Sequence, residues 1–507
     1  MSILKQKVSQ LGKRTIKHRS LNVSLWLTLP LWFLSAFLDS TLLADLASIF
    51  GLGVLFIWLW SIVGNSFEMI RLLRIASVIL AIILNASWLM ASLIHQFSIE
   101  ASIRESLNNS MSSSLEFKYY SLAIIYGTLF SLSLSYLGTL KNVFFIEKRV
   151  FRLLLKLPEI SARSLSLLLC VFIGIEIALI GLGVIGQRSL NLDVADGKRP
   201  FWFVVFEMIP PTQILLNAVL FNLLFYKHKS NNKLLYIVLF ASLSITLFLY
   251  FNEGRRALVF SVIAFFYWLS FFNAFRPKLW KVCVLSLIIY PLLSQALLFS
   301  NFIRSTNSGI DNYRQSAIEV VPQAWENFNA VKENIEIEKG RSVQNLATRP
   351  LVAIPLALCI QIASSEKHYT LGENLVNSII WTLPGPIVPN KADFPILEAL
   401  LYKHFPIGEF DTANSIYLES YMEFGWLGVI VYPLILYFIW LIVGKMLLSM
   451  KYSIIICVFV IAMFFQLFLL DIGEGSLSQY TLALRSSIFL LVFYRLLLLI
   501  LGRKNII

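Results

Sequence analysis

Twelve long stretches of the chain are apolar without interruption, near residues 21–38, 42–64, 72–97, 119–140, 164–186, 202–226, 234–251, 257–275, 282–300, 423–444, 453–470 and 482–500. The pattern is continuous rather than alternating, so it favours spanning helices over the strands of an outer-membrane barrel. A helix rises about 1.5 Å per residue, and roughly 20 apolar residues therefore cross a hydrocarbon core of about 30 Å. The expectation is an all-α polytopic membrane protein with about 12 transmembrane helices. Within the sixth stretch, Pro210-Pro211 should kink or break the helix, because proline lacks the donor that a helix interior needs.

Polar residues gather in two places between these stretches. Residues 98–118, rich in Ser and Asn, read as a surface loop. Residues 301–419, between the ninth and tenth helices, are far too long for a simple connector and should form a large, mainly helical loop. Inside it, 315–339 reads as a helix broken near Pro322. The apolar run 351–363 is too short to span, so it should be re-entrant or lie flat at the interface. Prolines 384, 386 and 389 mark a rigid turn, and 394–405 reads as a short amphipathic helix.

Composition agrees with lipid as the solvent. Hydrophobic residues make up 58% and charged residues 14% of the 507, with a mean hydropathy of +0.75. Water-soluble domains carry about 25% charged residues. The net charge of +13 is a topology signal. Lys and Arg occur in the N-terminal arm and in alternate loops from there, about 24 against about 8 in the short loops on the other side. That bias puts both termini in the cytoplasm and divides the chain into a cytoplasmic arm (1–20), helices one to nine (21–300), a periplasmic loop (301–419), helices ten to twelve (420–500) and a cytoplasmic tail (501–507). Nucleic-acid binding would need these cations on one folded surface, so it is not expected. The first apolar run lacks a small-residue cleavage site and reads as a retained helix. Cys170, Cys283, Cys359 and Cys457 all fall in apolar segments and suggest neither disulfides nor a metal site.

The candidate chemistry lies on the outer side. Arg255 and Arg256 form a tight outward turn against the positive-inside trend, Arg304 and Arg314 open the long loop, and Arg341 and Arg349 follow. Arginine is planar, always charged and able to hold phosphate oxygens with two parallel bonds. At that depth the group suits a lipid-linked pyrophosphate. The same arginines could instead snorkel to lipid phosphates or pair with Glu253, Asp311 and Glu319. The second candidate is the polar run that leads into the tenth helix, with Asp411, Asn414, Ser415, Tyr417 and Glu419 followed by Gly425 and Gly428. Asp411, Asn414 or Ser415 could cap the helix, while Asn414, Tyr417 and Glu419 could contact a substrate; the glycines would admit a close backbone. Glu176, Glu207 and Arg485 are ionisable residues in apolar surroundings, and Glu176 with Arg485 could form an ion pair.

Asn414-Ser-Ile-Tyr-Leu-Glu419, followed by Phe424-Gly-Trp-Leu-Gly428, resembles the segment that ends the large periplasmic loop in the O-antigen polymerase and ligase superfamily (Wzy-type proteins). Gly254-Arg255-Arg256-Ala257-Leu258-Val259 is similar to the Gly-Ser-Arg-type turn of that family, and the layout of spans and late loop is shared. The resemblance implies a membrane glycosyltransferase of the bacterial inner membrane that polymerises oligosaccharide repeat units carried on undecaprenyl pyrophosphate. A lipid-linked glycan would be both donor and acceptor, with no cofactor or metal, and a chain-length regulator would be a further partner. Arg256, Arg255 and Arg304 would be the catalytic cations, and Arg314, Arg341, Arg349, Asn414, Tyr417 and Glu419 would bind substrate. Ligase-like relatives often place His before the Asn, where this chain has Ala413. That favours polymerase over ligase and leaves His404, Asp411 and Glu419 open as the acceptor's base. A flippase for the same lipid is the remaining alternative, although it should show two related halves.

Overall fold

A computed structural model describes residues 19–63, 65–97, 117–181, 208–227, 232–253, 255–272, 353–365, 369–383, 387–395, 398–405, 415–450, 454–472 and 476–500. Among them there is no strand. In chain order the helices are α1 (Arg19–Leu38), α2 (Thr41–Val63), α3 (Leu72–Phe97), α4 (Phe117–Leu137), α5 (Lys141–Leu154), α6 (Ala162–Gly181), α7 (Ile209–Asn222) and α8 (Lys233–Glu253). They continue with α9 (Arg255–Phe271), α10 (Ala353–Ser365), α11 (Glu373–Thr382), α12 (Glu398–His404), α13 (Ile416–Phe424), α14 (Gly428–Ser449), α15 (Ile454–Gln466) and α16 (Leu477–Ile500).

Seven helical stretches among the described residues are long and apolar enough to cross a membrane. Helices stand where the apolar runs predict them in eleven of the twelve cases; the expected span 282–300 lies outside the described residues, as does the helix expected over 315–339. The broken sixth stretch behaves as its prolines require. α7 begins at Ile209, so Pro210 and Pro211 occupy its first turn, where a missing N–H is harmless. Thr212 then donates both its backbone N–H and its hydroxyl to the Met208 carbonyl.

Burial sorts the helices. The apolar windows of α3, α4 and α7 are more than 70% buried, whereas that of α2 is 28% buried and leaves Ile57 and Trp60 on the outside. A helix that is apolar all round and exposed on one side is what a lipid-facing position demands. α1 to α4 pack on one another, α6 to α9 form a second group with α15, and α14 joins the two through α4, α5 and α16.

Three helices, α5, α11 and α13, were not legible as such. α5 lies in what reads as a basic loop; its Val143, Ile146, Val150 and Phe151 are buried against the bundle while its cations stay outside. Arg71, just before α3, and Arg74, in its first turn, are buried with it. Arg71 reaches Glu147 on α5 at 3.4 Å, Glu68 at 3.5 Å and the Gly138 carbonyl at 2.8 Å, and Arg74 meets Glu68 at 2.7 Å. Burial pushes the Glu147 carboxyl up to about 8, with the Arg71 charge acting in the opposite sense.

The run expected to be re-entrant or interfacial is α10, thirteen residues with Leu356, Ala357 and Cys359 buried, and it packs against α4 and α13. The amphipathic helix expected over 394–405 is shorter, as α12, and α11 was not anticipated. The tenth apolar helix also starts earlier than its pattern suggests. α13 and α14, joined by the single turn Gly425–Leu427, make one apolar stretch from Ile416 to Ser449. Residues 416–422, read from sequence mostly as loop, are therefore helical and buried.

Candidate functional site

The site is built around α13. Ser415 is extended at the helix entrance and its hydroxyl accepts the Leu418 N–H at 3.2 Å, so it is the cap. Tyr417 is fully buried, edge-on to Phe130, with its hydroxyl 3.2 Å from that of Ser131 on α4. One turn on, Ser420 meets the Tyr126 hydroxyl at 2.7 Å. These contacts tie the loop's end to the centre of the bundle.

Glu419 and Glu423 are four residues apart and so share a face of α13. Each closes the open N-terminus of a different helix. Glu419 Oε2 accepts the Leu477 N–H, at the first residue of α16, at 2.8 Å. Glu423 Oε1 accepts the Leu375 N–H, in the first turn of α11, at 2.7 Å, while its Oε2 accepts the Tyr432 hydroxyl at 2.5 Å. Helix N-termini leave orphan donors and carry partial positive charge, so two buried carboxylates are well placed there. Backbone bonds from Thr370 to Met422 and from Leu371 to Glu423 complete the seam. Gly425, at φ 53°, sits against the Tyr369 ring, and a side chain on Gly428 would run into the Ser420 carbonyl and the Tyr126 hydroxyl.

α11, positioned in this way, packs on α16 and presents its C-terminus to two cations. Lys391 Nζ donates to the Trp381 carbonyl at 3.0 Å and Arg485 to that of Thr382 at 3.4 Å. The segment bearing Lys391 is fixed by the Trp381 indole, which donates to the Phe394 carbonyl at 2.8 Å, and by Asn377, which donates to that of Pro395 at 2.6 Å. Lys391 is only 6% exposed. Burial first, then the neighbouring Arg485 charge, hold its ammonium below the usual lysine range. Two cations thus meet at the partly negative C-terminus of α11, whose last carbonyls they take as partners. At the other end of α11, Glu373 meets Lys403 and His404, each at 3.2 Å. Eight residues of helix, about 12 Å, separate the two ends.

The expected residues fall as follows. Arg255 and Arg256 open α9, and their side chains lie outside the described residues. Their end of the bundle can still be identified. Tyr250, near the end of α8, bonds Gln466 at the end of α15, and Tyr480 of α16 bonds the Leu467 carbonyl. The turn into α9 therefore lies at the end of the bundle that holds the start of α16, about two turns of that helix from Arg485. Arg304, Arg314, Arg341, Arg349, Asp411 and Asn414 lie outside the described residues. Tyr417 and Glu419 are brought into the interior as anchors of α13. Glu176 and Arg485 do not form the ion pair that their burial suggested: Glu176 accepts from Gln213 at 3.0 Å. Lys391, Glu373 and Glu423 were missed. Only Glu423 left a trace in the sequence, as the i+4 partner of Glu419.

No protein family, no curated protein and no solved structure matches this chain.

Proposed function

We propose that the protein is a membrane glycosyltransferase that polymerises repeat units linked to a polyprenyl pyrophosphate into a bacterial surface polysaccharide, at the outer face of the inner membrane. The observation that carries this reading is the Lys391–Arg485 pair, about two turns along α16 from the end of the bundle where Arg255 and Arg256 begin α9. A pyrophosphate headgroup at that level would keep its tail in the bilayer. The apolar crevice lined by Pro211, Ile214, Ile263, Ala264, Trp268 and Phe465, two turns along α9 from the arginines, is chemically suited to a lipid chain.

In the reaction, the glycosidic bond between the sugar's anomeric carbon and the pyrophosphate oxygen breaks, and its electron pair leaves with the pyrophosphate. The acceptor hydroxyl forms the new bond to the anomeric carbon and gives up its proton. Lys391 and Arg485, with Arg255 and Arg256, would stabilise the charge that develops on the leaving group. Of the three residues open as the base, Glu419 is already engaged in closing α16, and His404 has a carboxylate beside it that would orient its ring. A pyrophosphate at Lys391 lies about 12 Å along α11 from that histidine, beyond the roughly 3 Å reach of direct proton transfer. The base is therefore sought elsewhere in the long loop, where Asp411 remains.

The test is a gel of surface glycan from a strain lacking the protein, complemented with wild type, Lys391→Ala, Arg485→Ala or Arg256→Ala. At normal membrane abundance, each variant should lose the ladder and leave single repeat units on the lipid core, since removing one such charge costs about 100- to 1000-fold in turnover. A normal ladder in the Lys391 and Arg485 variants would reduce the pair to a cap on α11. Long lipid-linked polymer that never reaches the core would make the protein a ligase, and absence of any exported unit a flippase.

A further inference from the structure

A second polar group lies inside the bundle, away from the cationic end. Glu176 on α6, Gln213 and Asn217 on α7, and Ser242 on α8 are each no more than 1% exposed. Gln213 Nε2 donates to Glu176 Oε2 at 3.0 Å and to Ser242 Oγ at 3.2 Å. Asn217 is one turn from Gln213 on the same face of α7. Fourteen residues separate Glu176 from the start of α6, about 21 Å, so the group sits deep within the hydrocarbon zone.

The bonding of this group is incomplete in one particular way. Among the described residues, Glu176 Oε1, Gln213 Oε1 and Asn217 Oδ1 have no donor, and the Asn217 amide has no acceptor. The Thr212 and Thr246 hydroxyls are not available to them as donors, and that of Ser242, which accepts from Gln213, can serve only one of them. Thr212 donates to Met208 and Thr246 to Ser242, both at 2.7 Å, within their own helices. A carboxylate in hydrocarbon needs a counter-charge, and no Lys, Arg or His among the described residues bonds to Glu176. A proton would neutralise Glu176 but supplies one donor for three waiting oxygens. A metal cation can be shared by all of them. Hard carboxylate and carbonyl oxygens select a hard cation, and a single carboxylate is balanced by a single charge, whereas a divalent ion would leave an excess positive charge in lipid.

We propose that Glu176, Gln213, Asn217 and Ser242 form an intramembrane site for a monovalent metal cation of sodium's size, which joins α6, α7 and α8. The proposal stands on these residues alone and does not depend on the glycan chemistry at the other site.

Purified full-length protein should bind radioactive sodium in a scintillation proximity assay, with displacement by unlabelled sodium but not by choline. Glu176→Gln should abolish the signal, and Asn217→Ala and Ser242→Ala should weaken it. Should a variant fail to fold, the wild type supplies the second readout. Dicyclohexylcarbodiimide, which attacks buried carboxyls, should modify Glu176 in sodium-free buffer, about tenfold more slowly once sodium stands at ten times its dissociation constant. Absence of sodium binding by the wild type, or unchanged binding by well-folded Glu176→Gln, would overturn the site. Modification of Glu176 that sodium does not slow would assign the group to a proton alone.

Discussion

Glu423 serves two helices at once: its carboxylate takes the Leu375 N–H that α11 leaves open and the Tyr432 hydroxyl of α14. Truncation therefore strands two buried donors, and each costs about 1–3 kcal/mol. Glu423→Ala should lower the thermal unfolding midpoint of the detergent-purified protein well below that of Glu423→Gln, which keeps a carbonyl for the Leu375 N–H and offers an amide that the Tyr432 oxygen can accept. Equal midpoints would mean that the carboxylate is not holding the two helices. Gly428 makes the complementary case, since what matters there is the absence of a side chain. Gly428→Ala would drive a methyl into the Ser420 carbonyl, which belongs to backbone and cannot swing aside, so a cost at or above the usual 1–3 kcal/mol of overpacking is expected. A variant of unchanged stability would show that α13 can slide on α14.

At the scale of elements, α5 is the clearest instance of a helix that serves another. It buries Glu147 beneath the start of α3, where Arg71 comes in from the preceding turn and Arg74 from the first turn of α3 itself. A carboxyl held up near 8 in the folded protein and near 4.5 in the unfolded chain binds more protons when folded across that interval. Stability from this group is then full below about pH 4.5 and is lost as pH rises through 8. The unfolding midpoint should fall between pH 5 and 8, and Glu147→Gln should flatten that slope. A slope that is the same in both proteins would assign the pH dependence to other groups. α11 is the corresponding element at the opposite end, held at its start by Glu423 and at its finish by Lys391 and Arg485. Its position follows from bonds to three other segments and not from its own ten residues, which would be marginal as an isolated helix.

For the whole molecule, the arrangement of charges implies an orientation. Arg71, Arg74 and the cations of α5 lie at one end and α10 to α13 toward the other, and the positive-inside rule would make the second end periplasmic. Lys403 on α12 is well exposed there. In a cysteine-free background, Lys403→Cys should react with an impermeant thiol reagent once the outer membrane is opened. Labelling only after lysis would invert the topology and, with it, the side on which the Lys391–Arg485 pair could meet a lipid-linked glycan.

The sequence by itself determined what lipid demands of each segment. Uninterrupted apolar runs placed α1 to α4, α6 to α9 and α14 to α16, and Pro210-Pro211 marked where α7 must begin, because spanning length and proline geometry are local properties. It also marked the glycines at 425 and 428 as points of close approach and named Ser415 as one of three candidate caps, from which the structure selects it. Partnership was decided only by tertiary structure. Nothing in the spacing tells that Glu423 closes α11, that Lys391 stands beside Arg485 from a point 94 residues earlier in the chain, or that Glu176 meets Gln213 rather than Arg485. A buried polar group must find a partner, but many partners satisfy it equally well in sequence. The packing of helices onto one another is what selects one.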